Sequence, residues 1–258
     1  MSDSIASSRR RFLSRAAVAV GAAFLAGCER LSETQWFPKV LGAGEKLSEA
    51  AQKLVTGRKS MAQEFSEGDL SPTFRSNGTA DPQSEVYQAL AAKAFAGYKL
   101  EVGGLVAEPR SFTLAELRAL DSRTQITRHD CVEGWSAIGK WKGAKLSALL
   151  DAVKVKPEAR YVVFYCADPM SDDGADLYYE SIDMDDALHP QTILAYELNG
   201  EALPIKNGAP IRLRVERQLG YKHAKYVMKI ELVESFAHIA GGEGGYWEDQ
   251  GYQWYAGI

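Results

Sequence analysis

Two continuous apolar runs of strand length, Tyr161–Cys166 and Ile193–Leu198, set most of what this chain can fold into. A strand whose side chains do not alternate has no polar side to give to water, so both of its faces must be covered. The second run leads straight into Asn199-Gly200, the dipeptide of a two-residue hairpin turn. Ile211–Val215 and Tyr226–Leu232 do alternate, which predicts two half-buried strands. Thr113-Leu-Ala-Glu116 is a capping box and predicts a short helix reaching about Leu120. Helical segments are few and scattered and no repeat is present. The expected class is α+β with many short strands, not a doubly wound sheet, and 258 residues suit one large domain or two small ones.

The first thirty residues read as an address. Ser8-Arg9-Arg10-Arg11-Phe12-Leu13 puts paired arginines ahead of a weakly hydrophobic, alanine-rich stretch, Ala16–Leu25, the order of a twin-arginine (Tat) export signal. That route carries proteins already folded, as a cofactor loaded in the cytoplasm requires. Leu25-Ala26-Gly27-Cys28 then matches a lipobox, with Cys28 acylated to anchor the protein at a membrane surface without spanning it. Removing residues 1–27 takes away four arginines and Asp3. It leaves 26 basic and 33 acidic residues, a net charge of −7, in a periplasmic protein. Neither that charge nor the −4 of the whole chain suits a nucleic-acid surface.

Four segments are expected: 1–28 as the signal with its lipobox, 29–70 as an arm with a helical stretch from Gly44 to Gly57, 71–240 as the catalytic domain, and 241–258 as a tail rich in Gly, Trp and Tyr. The tail is expected either to cover a pocket, to dock a partner, or to strap the core.

Familiar motifs are absent: no GxGxxG, no Walker loop, no HExxH. Gly134–Gly139 has one residue too many for a nucleophile elbow. The acidic stretch Asp168–Asp186 lacks calcium-loop spacing and is expected to be a solvated loop. His129, His189, His223 and His238 are scattered and are expected to be structural. With three cysteines and no CxxC there is no disulfide scaffold.

Cys131 remains, among Arg128, His129, Asp130, Glu133 and Ser136. A core strand does not carry so polar a set, so the segment is expected to line a pocket, where a thiolate serves as nucleophile or as soft metal ligand. Asp130 and Glu133 disfavour a free thiolate, and a bound metal overrides that penalty, which favours the ligand role. Downstream, Leu203–Arg212 and Leu219–Lys225 combine glycines, backbone amides and Arg/Lys heads, a composition suited to an anionic ligand such as a phosphate.

Three segments, Cys131-Val-Glu-Gly-Trp-Ser136, Tyr196–Pro204 and Asn207-Gly-Ala-Pro-Ile-Arg212, together resemble the molybdopterin-binding domain of the sulfite oxidase family, on the branch of periplasmic protein-methionine-sulfoxide reductase catalytic subunits. The likeness runs from about Ser71 to Val233. It implies mixed sheets with short helices, and a molybdenum held by Cys131 and by the dithiolene of one molybdopterin. It implies that Asn207 and Arg212 bind the pterin and its phosphate, and that His223, Ala224 and Lys225 clamp that phosphate through backbone and lysine. Phe74, Arg75, Ser76 and Asn77 match the family's other pterin loop without its usual Arg-Asn-His order, and Cys166 or Asp168 falls where relatives touch the cofactor. Glu133 and Trp135 would shape substrate access, and Glu133 would repel an anion such as sulfite. The chain runs about 25 residues beyond Val233, too few for an immunoglobulin-like dimerisation domain, and holds no haem domain. A separate electron-transfer partner, a cytochrome or membrane haem protein, is therefore expected.

The leading expectation is a molybdenum oxidoreductase moving an oxygen atom or two electrons on a small periplasmic substrate or sulfoxide. The alternatives are a periplasmic cysteine hydrolase or transpeptidase, with Cys131 as nucleophile and His129 or His223 as base, and a non-catalytic lipoprotein in which Cys131 and Cys166 form a disulfide.

Overall fold

A computed structural model of the chain describes residues 60–258 except 172, 173 and 175, together with residues 34, 36, 37, 42–44, 47, 48, 50–52 and 57. The expected leader and lipobox lie outside the described residues. The chain divides into two units, 1–57 and 58–258. In the first, residues 42–44, 47, 48 and 50–52 are helical; all but 42 and 43 fall in the stretch from Gly44 to Gly57 where the sequence predicts a helix. Among the described residues no helix is long and apolar enough to cross a membrane.

The second unit packs one mixed and one antiparallel sheet around a main core. The first has strand order β2 (Arg110–Thr113), β1 (Lys99–Gly104), β10 (Val227–Val233), β5 (Tyr161–Pro169), β6 (Leu177–Asp183); β1 and β10 run parallel and the other pairs antiparallel. The second has the order β3 (Ser122–Cys131), β4 (Trp135–Lys145), β7 (Ile193–Leu198), β8 (Glu201–Ala202), and β9 (Arg212–Arg214) also pairs with β7. Short helices cover the edges: α1 (Glu85–Ala91), α2 (Leu114–Ala119), α3 (Leu146–Val153), α4 (Met184–Ala187) and α5 (Tyr246–Asp249). This is the α+β class expected.

Both unalternating runs are strands covered on two faces. From β5, Val162, Phe164 and Cys166 enter the main core, while Val163 packs with Tyr179 and Val233 beneath Ile239 and Tyr246 of the C-terminal segment. From β7, Leu194 and Tyr196 face the main core, and Ile193 and Ala195 join a second cluster with Phe74, Ala137 and Trp141. Asn199 and Gly200 turn the β7–β8 hairpin with φ of 54° and 86°, the positive values this turn needs. Thr113 and Glu116 form the predicted capping box of α2. In α3, Leu146, Leu149, Leu150 and Val153 make one buried stripe at helical spacing.

Two expectations fail. Ile211–Val215 is not half-buried: Arg212 and Arg214 are both 0% exposed, because the polar side of β9 faces a polar interior instead of water. Asp168–Asp186 is not a solvated loop: most of it is β6 and α4, Asp168 is buried, and Asp186 is buried accepting from Arg217 and Gln218. Acidity marked the stretch as surface, but Asp186 has buried partners and Asp168 faces a cavity.

Candidate active site

The β3–β4 hairpin ends in a tight turn, Cys131 pairing with Trp135, with Gly134 at φ 85°. Its tip presents Cys131, Val132 and Glu133 to a cavity of about 210 Å³. Asn77–Thr79, Asp168 at the end of β5, and Gly220, Tyr221, His223 and Lys225 complete its floor and one side. Met170, Tyr178, Trp247 and Tyr252 make the other. The loop after β9 comes this close because Gly220 packs on His129: a Cβ there would sit 2.6 Å from the ring's Nε2.

Buried polar atoms without partners gather at this cavity. Asn77 Oδ1, Asp168 Oδ1 and His223 Nδ1 belong to lining residues. Asn207 Nδ2, Arg212 Nε and His129 Nε2 lie in the layer behind them. That layer is contiguous: Arg212 donates to the carbonyls of Asn207 (3.0 Å) and His223 (3.3 Å). A guanidinium only donates, so the contact of Arg214 Nη1 with His129 Nδ1 at 2.9 Å puts the His129 proton on Nε2. His223 Nε2 lies 3.1 Å from the Gln218 carbonyl, so it donates there and leaves Nδ1 as an acceptor. Three donors and three acceptors are thus left open, each costing about 1–3 kcal/mol when buried unpaired. A ligand that both donates and accepts fits them.

Charge at the floor is positive and strained. Burial and neighbouring Arg214 pull Arg212 down to about 9, and burial with neighbouring Arg212 pulls Lys225 down to about 8. Lys225 Nζ donates to the carbonyls of Asn77 and Thr79. Burial pushes Asp168 up to about 7 against the pull of Lys225. An anion here would relieve both cations. Burial likewise raises the Cys131 thiol, Glu133 adding to it, while the Glu133 amide, Arg75 and Arg212 pull it down.

The sequence-derived residues do not all reach the cavity. Cys131, Glu133, Asn77, Asp168, His223 and Lys225 line it, and Asn207 and Arg212 stand behind. Phe74 instead packs into the second core cluster, its ring 4.9 Å from Trp141 at 90°. Arg75 lies over the Trp135 ring at 5.7 Å, and Ser76 ties to the Lys206 carbonyl. Trp135 donates from Nε1 to Glu133 at 2.8 Å, holding that carboxylate instead of lining the cavity. Cys166 and Ala224 are in the main core. Lys222, read as one of the anion-binding cations, is buried between Glu180 and Glu248. Both Cys131 and Cys166 are free thiols, so the disulfide alternative fails. Sequence reasoning does not reach Tyr178, Tyr221, Trp247 and Tyr252, although the aromatic richness of the tail is a signal for two of them.

Fold and cavity together define a protein that grips a polar, anionic cofactor beside a buried thiol. The chain belongs to the oxidoreductase molybdopterin binding domain family, whose model matches residues 88–238. Its cofactor is therefore molybdopterin, and the hydrolase alternative falls. The chain is 38% identical over 249 residues to a putative protein-methionine-sulfoxide reductase subunit of Azospira oryzae, covering 96% of this chain and 87% of that one. It is 37% identical over 151 residues to the protein-methionine-sulfoxide reductase catalytic subunit of Xanthomonas axonopodis pv. citri, covering 55% of this chain and 47% of that relative. The sulfane dehydrogenase of Paracoccus pantotrophus is similar with a TM-score of 0.49 at 26% identity, covering 54% of this chain and 39% of that one.

Proposed function

We propose that this chain reduces sulfoxides, with Cys131 as the residue that would hold the molybdenum of a bound molybdopterin cofactor. The observation that carries the reading is one cavity lined by the free Cys131 thiol, the costly cation Lys225 and three residues with unpartnered buried polar atoms, with Arg212 and Asn207, which carry two more such atoms, directly behind. Among the described residues no three His, Cys, Asp or Glu converge on a metal, so further ligands would come from the cofactor. Arg212, Lys225 and Asn207 would hold the phosphate and pterin, and Asn77, Asp168 and His223 would accept from its N–H groups. Glu133, fixed by Trp135, would stand at the mouth. When bound, the cofactor supplies two-electron oxygen-atom transfer. Reduction breaks the S–O bond, takes up two protons and two electrons, and releases a thioether and water.

The sulfoxide substrate is supported by the two relatives named for it. We also assign Tat export, a periplasmic location and lipid anchoring at Cys28, supported by the twin arginines and the lipobox, and a separate haem-type electron donor, supported by the naming of both relatives as subunits. Metal analysis of enzyme from a cofactor-competent host tests the centre: about one molybdenum per chain in the wild type and none in Cys131→Ser is expected. A folded wild type without molybdenum from such a host would overturn it. Sulfoxide-dependent oxidation of a reduced viologen dye tests the reaction.

A further inference from the structure

We infer that the C-terminal segment 241–258 supplies the substrate-selecting wall of this cavity, the stacked rings of Trp247 and Tyr252 holding the apolar substituents of an uncharged sulfoxide. The inference rests on the proposed sulfoxide reduction and adds which residues choose the substrate. The segment lies outside residues 88–238, so the wall is not part of the domain that the family model describes.

Trp247 and Tyr252 line the same cavity as Cys131 and Glu133. Their rings stack at 5.3 Å and 29°, and Tyr221 meets Tyr252 edge-on at 5.4 Å. Tyr252 is 38% exposed, so part of its surface is available to a ligand. The wall is fixed before anything binds. Glu248, next to Trp247, accepts from Lys222 at 2.5 Å, as does Glu180, and all three side chains are at most 1% exposed. Tyr179 donates to Asp249, and Tyr221 donates to the Gln253 carbonyl at 2.6 Å. Ala256 is held on both sides, its carbonyl by the Leu219 amide and its amide by Gln218, each at 2.9 Å.

Charge decides what such a wall admits. Glu133 brings a carboxylate to the cavity, and the ammonium of Lys225, held by the carbonyls of Asn77 and Thr79, would be taken up by the cofactor's phosphate in the loaded enzyme proposed above. Aromatic faces carry negative quadrupole density and contact soft sulfur favourably. An anionic substrate is opposed by the Glu133 carboxylate and the ring faces alike, whereas a neutral sulfoxide can lay its carbon substituents on the rings and turn its oxygen toward Cys131.

The test uses molybdenum-loaded enzyme with a reduced viologen as electron donor. Its probes are methyl p-tolyl sulfoxide, dimethyl sulfoxide and the anion methylsulfinylacetate. Binding of the same probes is measured by equilibrium dialysis. In Trp247→Ala and Tyr252→Ala the KM and Kd for methyl p-tolyl sulfoxide should rise about tenfold or more, with kcat within about threefold and molybdenum content unchanged. Dimethyl sulfoxide should change little, Tyr252→Phe should keep wild-type values, and methylsulfinylacetate should bind the wild type at least about tenfold more weakly than the tolyl sulfoxide. Tyr252 is partly exposed, so its truncation leaves the core intact if Trp247→Ala misfolds. Unchanged KM and Kd in fully loaded Tyr252→Ala overturn the wall. If the wild type turns over no sulfoxide, the proposed reaction fails instead, and the dialysis still decides the wall: binding lost in the alanine variants supports it, and binding retained overturns it.

Discussion

The rings of His129 and His223 meet edge to face, 5.0 Å between centroids and 88° between planes, directly beside the guanidinium groups of Arg212 and Arg214. Burial and those two cations hold both imidazoles well below the usual histidine range. The pair is therefore expected to stay neutral in the folded protein through the pH range where a free imidazole takes up its proton, His129 protonated on Nε2 alone. Two-bond ¹H–¹⁵N spectra read this directly. A doubly protonated His129 signal at pH 6 would contradict an acceptor Nδ1 facing Arg214.

Arg214 carries much of that arrangement. It bonds Glu216 through two nitrogens at 2.9 and 2.5 Å, lies 4.5 Å from the Trp141 centroid, and is 0% exposed. Arg214→Met strands the Glu216 carboxylate in the interior, a loss of about 3–5 kcal/mol, or roughly 10 °C in Tm for a domain of this size. Calorimetry of the variant checks it. A fall of only a degree or two would mean that Glu216 finds another partner.

How far this was legible from sequence follows from the range of each signal. The capping box of Thr113 and Glu116, the Asn199-Gly200 turn and the runs in β5 and β7 are local, and all four appear as read. Alternation in Ile211–Val215 gave the strand but not the environment, because the pattern is the same whether Arg212 and Arg214 face water or a polar cavity. Cys131 stood out by its polar neighbours and Lys225 by the glycines and cations of its segment, both before the resemblance gave them and Asn207 their expected roles; Cys131 and Lys225 line the cavity and Asn207 stands behind it. Lys222 was misread because nothing near it in sequence announces Glu180, 42 residues away, as its partner. Trp247 and Tyr252 reach the cavity only through the three-dimensional path of the tail.

Gly220 tests how closely the loop after β9 must approach the cavity. An alanine there brings its Cβ within 2.6 Å of His129 Nε2 and 3.1 Å of the Asp130 carbonyl. The imidazole is wedged against His223 and Arg214, so the loop must yield, at a cost of about 1–3 kcal/mol. Gly220→Ala is expected to fold, melt lower and hold clearly less molybdenum per chain than the wild type. Full molybdenum content would show that the ring, not the loop, gives way.

Asp168 and Lys225 make the cofactor-free protein sensitive to pH in opposite senses. Asp168 rises from 3.8 to about 7 on folding, so its contribution is full below about pH 4 and is lost as pH climbs through 7. Lys225 falls from 10.5 to about 8, so its contribution is full above about pH 10.5 and is lost as pH drops through 8. Near pH 7–8 both burdens are present together, tempered by their mutual attraction. Their neighbours Tyr87, Tyr226, Cys166 and Arg212 do not titrate between pH 4 and 7, whereas the histidine pair opposes Asp168 by losing stability in acid. The difference between wild type and Asp168→Asn isolates the carboxyl. Urea midpoints of the cofactor-free proteins should diverge from pH 4 to 7, the wild type declining relative to the variant. Parallel curves would remove Asp168 as the titrating group.

The buried triad of Lys222, Glu180 and Glu248 joins β6, the loop after β9 and the C-terminal segment at one ammonium. Two carboxylates hold Lys222 above its ordinary value despite complete burial, so the charge stays on the lysine. Lys222→Met removes the cation between two enclosed acids and should cost about 3–5 kcal/mol. The loss has a direction in space as well as a size. Burial and Glu248 already push the Glu180 carboxyl up, so without the ammonium it takes up a proton, Glu248 loses its anchor and Trp247 moves with it, and the tail should loosen ahead of the sheets. Limited proteolysis should then cut the variant after about residue 239 while the remainder stays resistant, and amide exchange at Trp247–Ala256 should quicken more than that of β5 or β10. Uniform acceleration across all three regions would mean that the triad supports the whole fold and does not latch the tail.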